Sequence, residues 1–421
     1  MKKIFFRAFP LLIAIILLFG SVAAVSVLQK QDNTSQPDNK NTDVSAVSQV
    51  SKSDTKKSKN SITEENEMLA VWVPYMSIDM TGTDRSENTY RKKIDKIMKN
   101  IHDIGANTVI FQVRPFCDAL YKSELFPTSH IITGIQGEKT DYDPLEIAIE
   151  LARKYKLSLH AWINPLRIKS KEVPEPLADD NPYTIWKNDD IKENDRYTFS
   201  SGDGIYLNPA YSEVRKLIID GAREITENYD IDGIQIDDYF YPENGGDFDK
   251  EEYNLYKKES GKVHLSLEEW RQENINMLIS GLYSAVHEKE NCVFGISPQC
   301  NTDNDLKMGA DVFKWCSYFG YADYICPQLY ISESHPTFPY KTAAEQWRKM
   351  TTQKNIKLYF GLALYKIGTD ADSGTWLLKD DNILSQMKLG REIGADGFML
   401  YSYDSLLDEA AAKEVAAIAG K

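Results

Sequence analysis

The chain is organised around Asp232-Gly-Ile-Gln-Ile-Asp-Asp-Tyr-Phe-Tyr-Pro242. Ile234 and Ile236 alternate with Gln235 and Asp237, and side chains alternate between the two faces of a β-strand. The run therefore predicts a short strand with one apolar face and an acid, Asp237, at its C-terminal end. A (β/α)8 barrel places its catalytic groups at that end of its strands. A half-buried strand that ends in a solvated acidic turn has the same local pattern, so the choice depends on whether the chain repeats the design.

The chain does repeat it, because strands alternate with amphipathic helices from about residue 67 onward. Eight predicted strands, each followed by a helix, cover residues 69–75, 108–114, 158–164, the opening stretch, 292–298, 324–330, 356–365 and 397–403. Alternating β and α elements imply a parallel sheet, and eight strands close into a TIM barrel of the α/β class. The loops after the strands are elaborated, above all a long insertion at about 166–208. A doubly wound open sheet is the alternative, but its glycine-rich phosphate-binding first turn is missing.

The first 66 residues have a different composition. Basic residues precede an apolar run at 11–19, and Val22-Ala23-Ala24 fits a cleavage site, so residues 1–28 are predicted to be an export signal. The apolar stretch continues almost to Leu28, long enough to span a bilayer, which leaves an uncleaved membrane anchor open. Residues 29–66 are polar with few large apolar groups and are predicted to be a disordered linker. The barrel, 67–421, would then be secreted or anchored to the outer face of the cytoplasmic membrane.

Charge and motif content exclude several classes of partner. The formal net charge is −14, and the body of the chain has no dense Lys/Arg block, so we predict no nucleic-acid partner and membrane contact only through an uncleaved N-terminus. The five cysteines have no zinc spacing and are predicted to be small buried residues. A phosphate loop, a nucleotide fingerprint and an HExxH motif are also missing, so we predict neither a cofactor nor a metal.

Inward-facing positions near the C-terminal strand ends supply the predicted binding surface. The predicted binding residues are Trp72, Gln112, Arg114, His160, Trp162, Asn164, Gln235, Tyr239, Gln299, Gln328, Tyr330, Tyr401 and Tyr403, and Ser297 and Tyr365 share their face. Burying so many unpartnered polar groups would cost about 1–3 kcal/mol each, so we expect them to line a wet cleft. Aromatic faces with amide and guanidinium donors suit a sugar ring, which is apolar on its faces and hydroxylated at its edge.

Glycoside hydrolysis requires two carboxyl groups, one to protonate the leaving oxygen and one to act as nucleophile or base. Asp237 is the first candidate, because it is the acid predicted on the inward face at a strand end. Asp238, on the following turn, is the second. A partner from a loop could be Asp303, Glu333 or Asp404. Glu333 stands slightly ahead of Asp404, since an acid on a flexible loop can donate a proton.

Eight short motifs match one bacterial family. They are Ala70-Val-Trp-Val, Gln112-Val-Arg-Pro115, His160-Ala-Trp-Ile-Asn-Pro165, Leu207-Asn-Pro209, the opening stretch, Gly295-Ile-Ser-Pro298, Pro327-Gln-Leu-Tyr330 and Tyr401-Ser-Tyr403. With them the chain resembles the glycosyl hydrolase-like 10 family over about residues 67–421. The resemblance implies a TIM-barrel glycoside hydrolase that is exported and acts on cell-wall or other extracellular glycans. One branch of the family is associated with the glycan strands of peptidoglycan.

The fourth strand is also similar to the chitinase motif D-G-x-D-x-D-x-E. Asp232 and Asp237 match that motif, whereas Gln235 replaces an acid and Tyr239 stands where the proton-donating Glu would be. This departure argues against a chitinase-type, substrate-assisted mechanism.

The sequence therefore predicts an exported glycoside hydrolase that cleaves O-glycosidic bonds in peptidoglycan glycan strands or a related polysaccharide. Asp237 and Asp238 would be its core acids, completed by Glu333 or Asp404. A tethered, non-catalytic wall-glycan-binding protein is the first alternative; it would keep the aromatic cleft and lose the carboxyl pair. A divalent-metal enzyme with Asp237, Asp238 and His160 as ligands is the second, although their spacing matches no recognised metal motif.

Overall fold

A computed structural model describes residues 67–171, 173–238, 240–242, 246–261 and 263–420. The predicted signal or anchor segment, 1–28, and the predicted linker, 29–66, lie outside these ranges and stay predictions. Among the described residues, no helix combines the length and the apolar character needed to cross a bilayer.

Within the described residues, eight parallel strands form a closed barrel, which confirms the predicted architecture. Each barrel strand pairs with the next barrel strand along the chain, and the last barrel strand pairs with the first. In chain order the strands are β1 (Met68–Val73), β2 (Thr108–Arg114), β3 (Ser158–Ile163), β4 (Arg167–Ser170), β5 (Thr198–Ser201), β6 (Gly204–Leu207), β7 (Gly233–Ile236), β8 (Val293–Ile296), β9 (Tyr324–Ile325), β10 (Lys357–Ala363) and β11 (Gly397–Tyr401). The barrel omits β4, β5 and β6.

Helices cover the outer face of the barrel, and their apolar stripes form its main core. In α2, for example, Tyr90, Ile94, Ile97 and Ile101 are buried, a spacing that places them on one helix face. The helices are α1 (Tyr75–Ile78), α2 (Glu87–Asp103), α3 (His130–Thr133), α4 (Pro144–Lys154), α5 (Pro182–Asn188), α6 (Ser212–Asn228), α7 (Lys250–Ser260), α8 (Leu267–Val286), α9 (Thr302–Lys307), α10 (Val312–Ser317), α11 (Tyr340–Met350), α12 (Ala371–Gly374), α13 (Asn382–Ile393) and α14 (Ala412–Ile418).

The insertion after β3, predicted as a long loop, contains a small antiparallel sheet of order β4-β6-β5 and the helix α5. Arg167 at the start of β4 pairs with Tyr206 of β6. The Phe199 ring of β5 contacts two other rings, that of Tyr206 at 5.7 Å and that of Phe248 at 3.9 Å between centroids. Because β4 begins four residues after β3 ends, this sheet holds Arg167 at the C-terminal end of the barrel.

Paired polar groups occupy the barrel interior below that end. The Trp72 indole donates to Gln235 Oε1 at 2.6 Å, and Gln235 Nε2 donates to the Tyr324 hydroxyl at 3.3 Å. His160 Nδ1 lies 2.9 Å from the same hydroxyl. The Tyr324 ring fits beside β8 because residue 295 is a glycine, with no side chain at that point.

A methyl group at residue 295 would overlap Tyr324, because a Cβ placed there lies 1.8 Å from a ring carbon. We therefore expect Gly295→Ala to lower the free energy of unfolding by about 3 kcal/mol, the cost of an overpacked core. Denaturant titration measures the change. Gly246→Ala is the control, because its Cβ would meet Phe248 at an ordinary 3.7 Å. Equal stability of Gly295→Ala and the unchanged protein would contradict this packing.

Candidate active site

A cleft of about 350 Å³ opens at the C-terminal ends of the barrel strands, where TIM barrels carry their sites. Its volume lies in the range of small-ligand pockets. Each barrel strand contributes a residue from its last positions or from just beyond its end. The cleft is lined by Trp72, Pro74, Tyr75, Met76, Gln112, Trp162, Arg167, Asp237, Asp238, Ser297, Gln328, Tyr330, Tyr365 and Tyr401.

Asp237 lies on the buried side of the cleft, one residue beyond β7, and is 4% exposed. Its Oδ2 accepts a hydrogen bond from the Trp162 indole at 3.1 Å and another from Asn164 Nδ2. Hydrogen bonds donated to a carboxylate favour its ionised form and fix its orientation. The geometry therefore suits an ionised group that acts as a nucleophile or a base.

Two buried amide side chains, those of Asn164 and Gln112, connect Asp237 to the backbone through hydrogen bonds. Asn164 Oδ1 accepts from Gln112 Nε2 at 2.6 Å and from Arg167 Nη2 at 3.1 Å. Gln112 Oε1 in turn accepts from the backbone N–H of Tyr75 at 2.8 Å. Continuous hydrogen bonds thus connect the backbone at the start of α1 with the carboxylate of Asp237.

Asp238 is half-buried and has a different environment. Its Oδ1 accepts a hydrogen bond from Gln328 Nε2 at 2.9 Å. Asp305 of α9 is buried, and its Oδ1 accepts from the backbone N–H of Gln299 at 2.9 Å. Burial raises the pKa of Asp305 well above the usual carboxyl range, and the charge of Asp238 adds to this effect. The two neighbouring cleft acids, Asp237 and Asp238, therefore differ in their surroundings.

Four aromatic rings form one side of the cleft. The Tyr401 ring lies 6.0 Å from Trp72 and 5.6 Å from Tyr330 between centroids, and Tyr365 lies 5.9 Å from Tyr330. Tyr365 is 43% exposed, so this side continues to the protein surface. Ring faces offer apolar contact, and the buried Ser297 hydroxyl, which has no hydrogen-bond partner within the described ranges, offers a polar one.

The structure brings most of the predicted site residues to this cleft. The predicted residues that line it are Trp72, Gln112, Trp162, Asp237, Asp238, Gln328, Tyr330 and Tyr401. Asn164 lies behind Asp237, whereas Gln235 and His160 lie below it in the barrel interior. Tyr239 falls outside the described residues.

Two predicted residues point away from the cleft because strand alternation breaks before them. The register of β2 against β3 shifts between Gln112 and Arg114, which turns Arg114 outward; its guanidinium lies 4.6 Å from the Phe126 ring centroid. β11 ends at Tyr401, two residues before Tyr403, and the Tyr403 hydroxyl accepts from Asn100 of α2 at 3.0 Å. Neither side chain lines the cleft.

The predicted loop acids also lie elsewhere. Glu333 forms an ion pair with Lys379 at 2.8 Å, and Asp404 accepts from the Ser77 hydroxyl at 2.7 Å. Gln299 turns its side chain toward α9, where it accepts from Asn304 at 3.3 Å. Asp238 is thus the second carboxyl that the structure brings to the cleft.

Sequence reasoning missed Pro74, Tyr75, Met76, Arg167 and Asp305. Arg167 could have been predicted as a site residue, because it follows the His160–Pro165 motif by two residues and is the nearest cation after that strand end. No sequence pattern indicated Asp305, since its burial depends on the fold of the loop after β8.

The described residues contain no group of three or more His, Cys, Asp or Glu arranged to hold a metal ion. His160, one ligand of the metal hypothesis, bonds to Tyr324 inside the barrel. The five cysteines are free thiols, and four of them are buried. Burial raises the pKa of the Cys117 thiol to about 12, so it is no thiolate at neutral pH.

Comparison with known proteins finds similarity to proteins named as glycosyl hydrolases. A model of the glycosyl hydrolase-like 10 family matches residues 67–377. Glycosyl hydrolase YngK of Bacillus subtilis is 31% identical over 331 residues, which are 73% of this chain and 62% of YngK, so the chain spans less than two thirds of that relative. Glycosyl hydrolase DigH of Escherichia coli K12 is 31% identical over 322 residues, 70% of this chain and 71% of DigH.

Solved structures show the same fold at low identity. The catalytic domain of β-amylase from Paenibacillus polymyxa has a TM-score of 0.56 and 12% identity, covering 84% of this chain and 97% of that one. The PgaB (BpsB) glycoside hydrolase domain from Bordetella bronchiseptica has a TM-score of 0.53 and 11% identity, covering 83% and 98%.

Acid should destabilise the barrel through His160. Burial lowers the pKa of His160 from 6.5 to about 4, so between these values the unfolded chain binds a proton that the folded chain does not. The free energy of unfolding should therefore fall by up to about 3 kcal/mol as the pH drops through this window. Denaturation at about pH 7 and pH 4 measures it, with His160→Gln as the variant that lacks the titrating ring. Parallel pH dependence in both proteins would contradict the assignment.

Proposed function

The chain belongs to the glycosyl hydrolase-like 10 family, and we propose that it is an exported glycoside hydrolase that cleaves O-glycosidic bonds in peptidoglycan glycan strands or a related extracellular polysaccharide. The observation that carries this proposal is the pair Asp237 and Asp238 at the end of β7, inside an aromatic-lined cleft. Two relatives named as glycosyl hydrolases support it.

We assign different roles to the two acids because their surroundings differ. Asp237 accepts two hydrogen bonds on one oxygen, which favours the ionised nucleophile or base. Asp238 accepts an amide N–H from Gln328 and is only half-buried, so it is the acid that stays open to a bound glycan. Asp238 then protonates the leaving glycosidic oxygen, as this reaction class requires. Carboxyls with contrasting environments are the usual basis for such a division.

The cleft also suits a glycan as the substrate. The aromatic side formed by Trp72, Tyr330, Tyr365 and Tyr401 offers stacking faces for sugar rings, and the amides at the strand ends offer donors for hydroxyl groups. The predicted N-terminal export segment supports a substrate outside the cytoplasmic membrane, with the enzyme secreted or anchored to the outer face. We therefore infer an extracellular glycan, such as a wall glycan, as the substrate.

Removing either cleft acid should abolish most hydrolysis. We expect Asp237→Asn and Asp238→Asn each to lower the rate by about 10²–10⁴-fold, because each variant loses a proton-transfer or nucleophilic group. The measurement is mass spectrometry of products after incubating the full chain with peptidoglycan glycan strands, with and without stem peptides. Asp408→Asn, an exposed acid outside the cleft, is the matched control.

Two outcomes would contradict the proposal. If both cleft variants were as active as the unchanged protein, neither acid would take part in the reaction. Retention of the unchanged protein and both variants on the glycan, with no new fragments from any of them, would instead identify a glycan-binding protein.

The loop acids provide a separate prediction. Because Glu333 pairs with Lys379 and Asp404 with Ser77, outside the cleft, we expect Glu333→Gln and Asp404→Asn to keep nearly full activity in the same assay. A loss in either variant as large as that of Asp238→Asn would return the proton-donor role to a loop.

A further inference from the structure

We propose that Gln112, Asn164 and Arg167 form an amide relay that positions Asp237, with Arg167 as the part supplied by the inserted sheet. The proposal rests on the proposed role of Asp237 in hydrolysis. It gives Asn164 a task different from contacting sugar hydroxyls. Asn164 is 1% exposed and is absent from the cleft lining, so it acts through the carboxylate.

Donor and acceptor chemistry fixes the direction of the relay. A guanidinium can only donate hydrogen bonds, so the atom of Asn164 that faces Arg167 Nη2 at 3.1 Å must be its carbonyl oxygen. The Tyr75 backbone N–H likewise fixes Gln112 Oε1, so Gln112 must present Nε2 to the same carbonyl oxygen, at 2.6 Å. With its oxygen held by two donors, Asn164 can offer only its N–H group to Asp237.

Arg167 is itself held in place on several sides. Its Nε donates to the Pro115 carbonyl at 2.8 Å, and its guanidinium carbon lies 4.9 Å from the Phe116 ring centroid. Its backbone belongs to β4, where it pairs with Tyr206. A planar, pre-oriented guanidinium loses little freedom when it bonds to Asn164. The insertion therefore has a positioning task at the site.

Loss of the relay should affect turnover rather than binding. Asp237 would keep the Trp162 bond but lose the Asn164 donor on Oδ2, so its carboxylate would be oriented less firmly. Partners that orient metal ligands typically contribute about 10–100-fold to activity, and we expect a similar factor for the partners that orient Asp237. The substrate-stacking side of the cleft stays intact, because the four aromatic residues do not depend on the relay.

The test is a double-mutant cycle on glycan hydrolysis by the full chain. We expect Asn164→Ala to lower kcat about 10–100-fold with little change in KM, and Arg167→Met to lower kcat by a smaller factor. The double variant should be no slower than Asn164→Ala alone, because Arg167 acts through Asn164. Losses that multiply, or a raised KM at unchanged kcat in Arg167→Met, would overturn the proposal by indicating direct substrate contact.

A second readout needs no turnover and so separates this proposal from the proposed function. The Trp162 indole N–H donates to the same oxygen as Asn164, so its NMR resonance reports on Asp237 directly. We expect Arg167→Met and Asn164→Ala to shift this resonance in the same direction, with Trp162→Phe used for assignment. An unchanged resonance in Arg167→Met overturns the relay even in an active enzyme. Shifts in both variants of a protein that hydrolyses no glycan support the relay and reject the hydrolase.

Discussion

Two hydrogen bonds to a single carboxylate oxygen, from Trp162 and Asn164, are the constraint on which the site depends. Both donors extend from β3 and the acceptor from β7, its neighbour in the barrel. The register of that pair sets Trp162 opposite Gln235, and Asp237 follows two residues later on the same face. A slip of one residue would turn Asp237 to the outer face, because side chains alternate along a strand. The closed barrel prevents that slip, since every strand is bonded on both sides.

The barrel interior supports the cleft from below. Gln235 accepts a hydrogen bond from the Trp72 indole and donates one to the Tyr324 hydroxyl, which also lies within hydrogen-bond distance of His160 Nδ1. These groups are polar and fully buried, yet the hydrogen bonds among them offset the cost of their desolvation. Their position depends on Gly295, which leaves room for the Tyr324 ring. Gln235, His160 and Tyr324 thus form a hydrogen-bonded layer below the cleft that holds the Trp72 ring in the cleft wall.

Strand periodicity was sufficient to predict the barrel and much of the cleft. The alternation of side chains is a local property of each strand, so it correctly predicted that Gln112, Trp162, Asp237 and Tyr401 face inward. It failed at Arg114, because a bulge depends on how two strands pair, and pairing is not encoded in one strand alone. The sequence did not identify the second catalytic carboxyl for a similar reason. Glu333 and Asp404 occur on loops whose direction is set by distant partners such as Lys379 and Ser77.

The insertion after β3 was predicted as a loop, yet it forms a sheet and supplies a cation to the cleft. Its strands are four residues long, too short for a clear alternation signal. Arg167 gains its role only when β4 starts beside the end of β3. This division is expected for TIM barrels, in which the scaffold is repetitive and the chemistry is set by the loops between its units.

The most direct measurement is a crystal structure of the Asp237→Asn protein with a glycan oligosaccharide. If the cleft acids catalyse hydrolysis, they must flank a scissile glycosidic bond. We expect sugar rings stacked on Trp72 and Tyr401, with one glycosidic oxygen within hydrogen-bond distance of Asp238 and the adjoining anomeric carbon facing residue 237. An oligosaccharide bound away from the cleft, or bound there with no glycosidic bond near either acid, would contradict it.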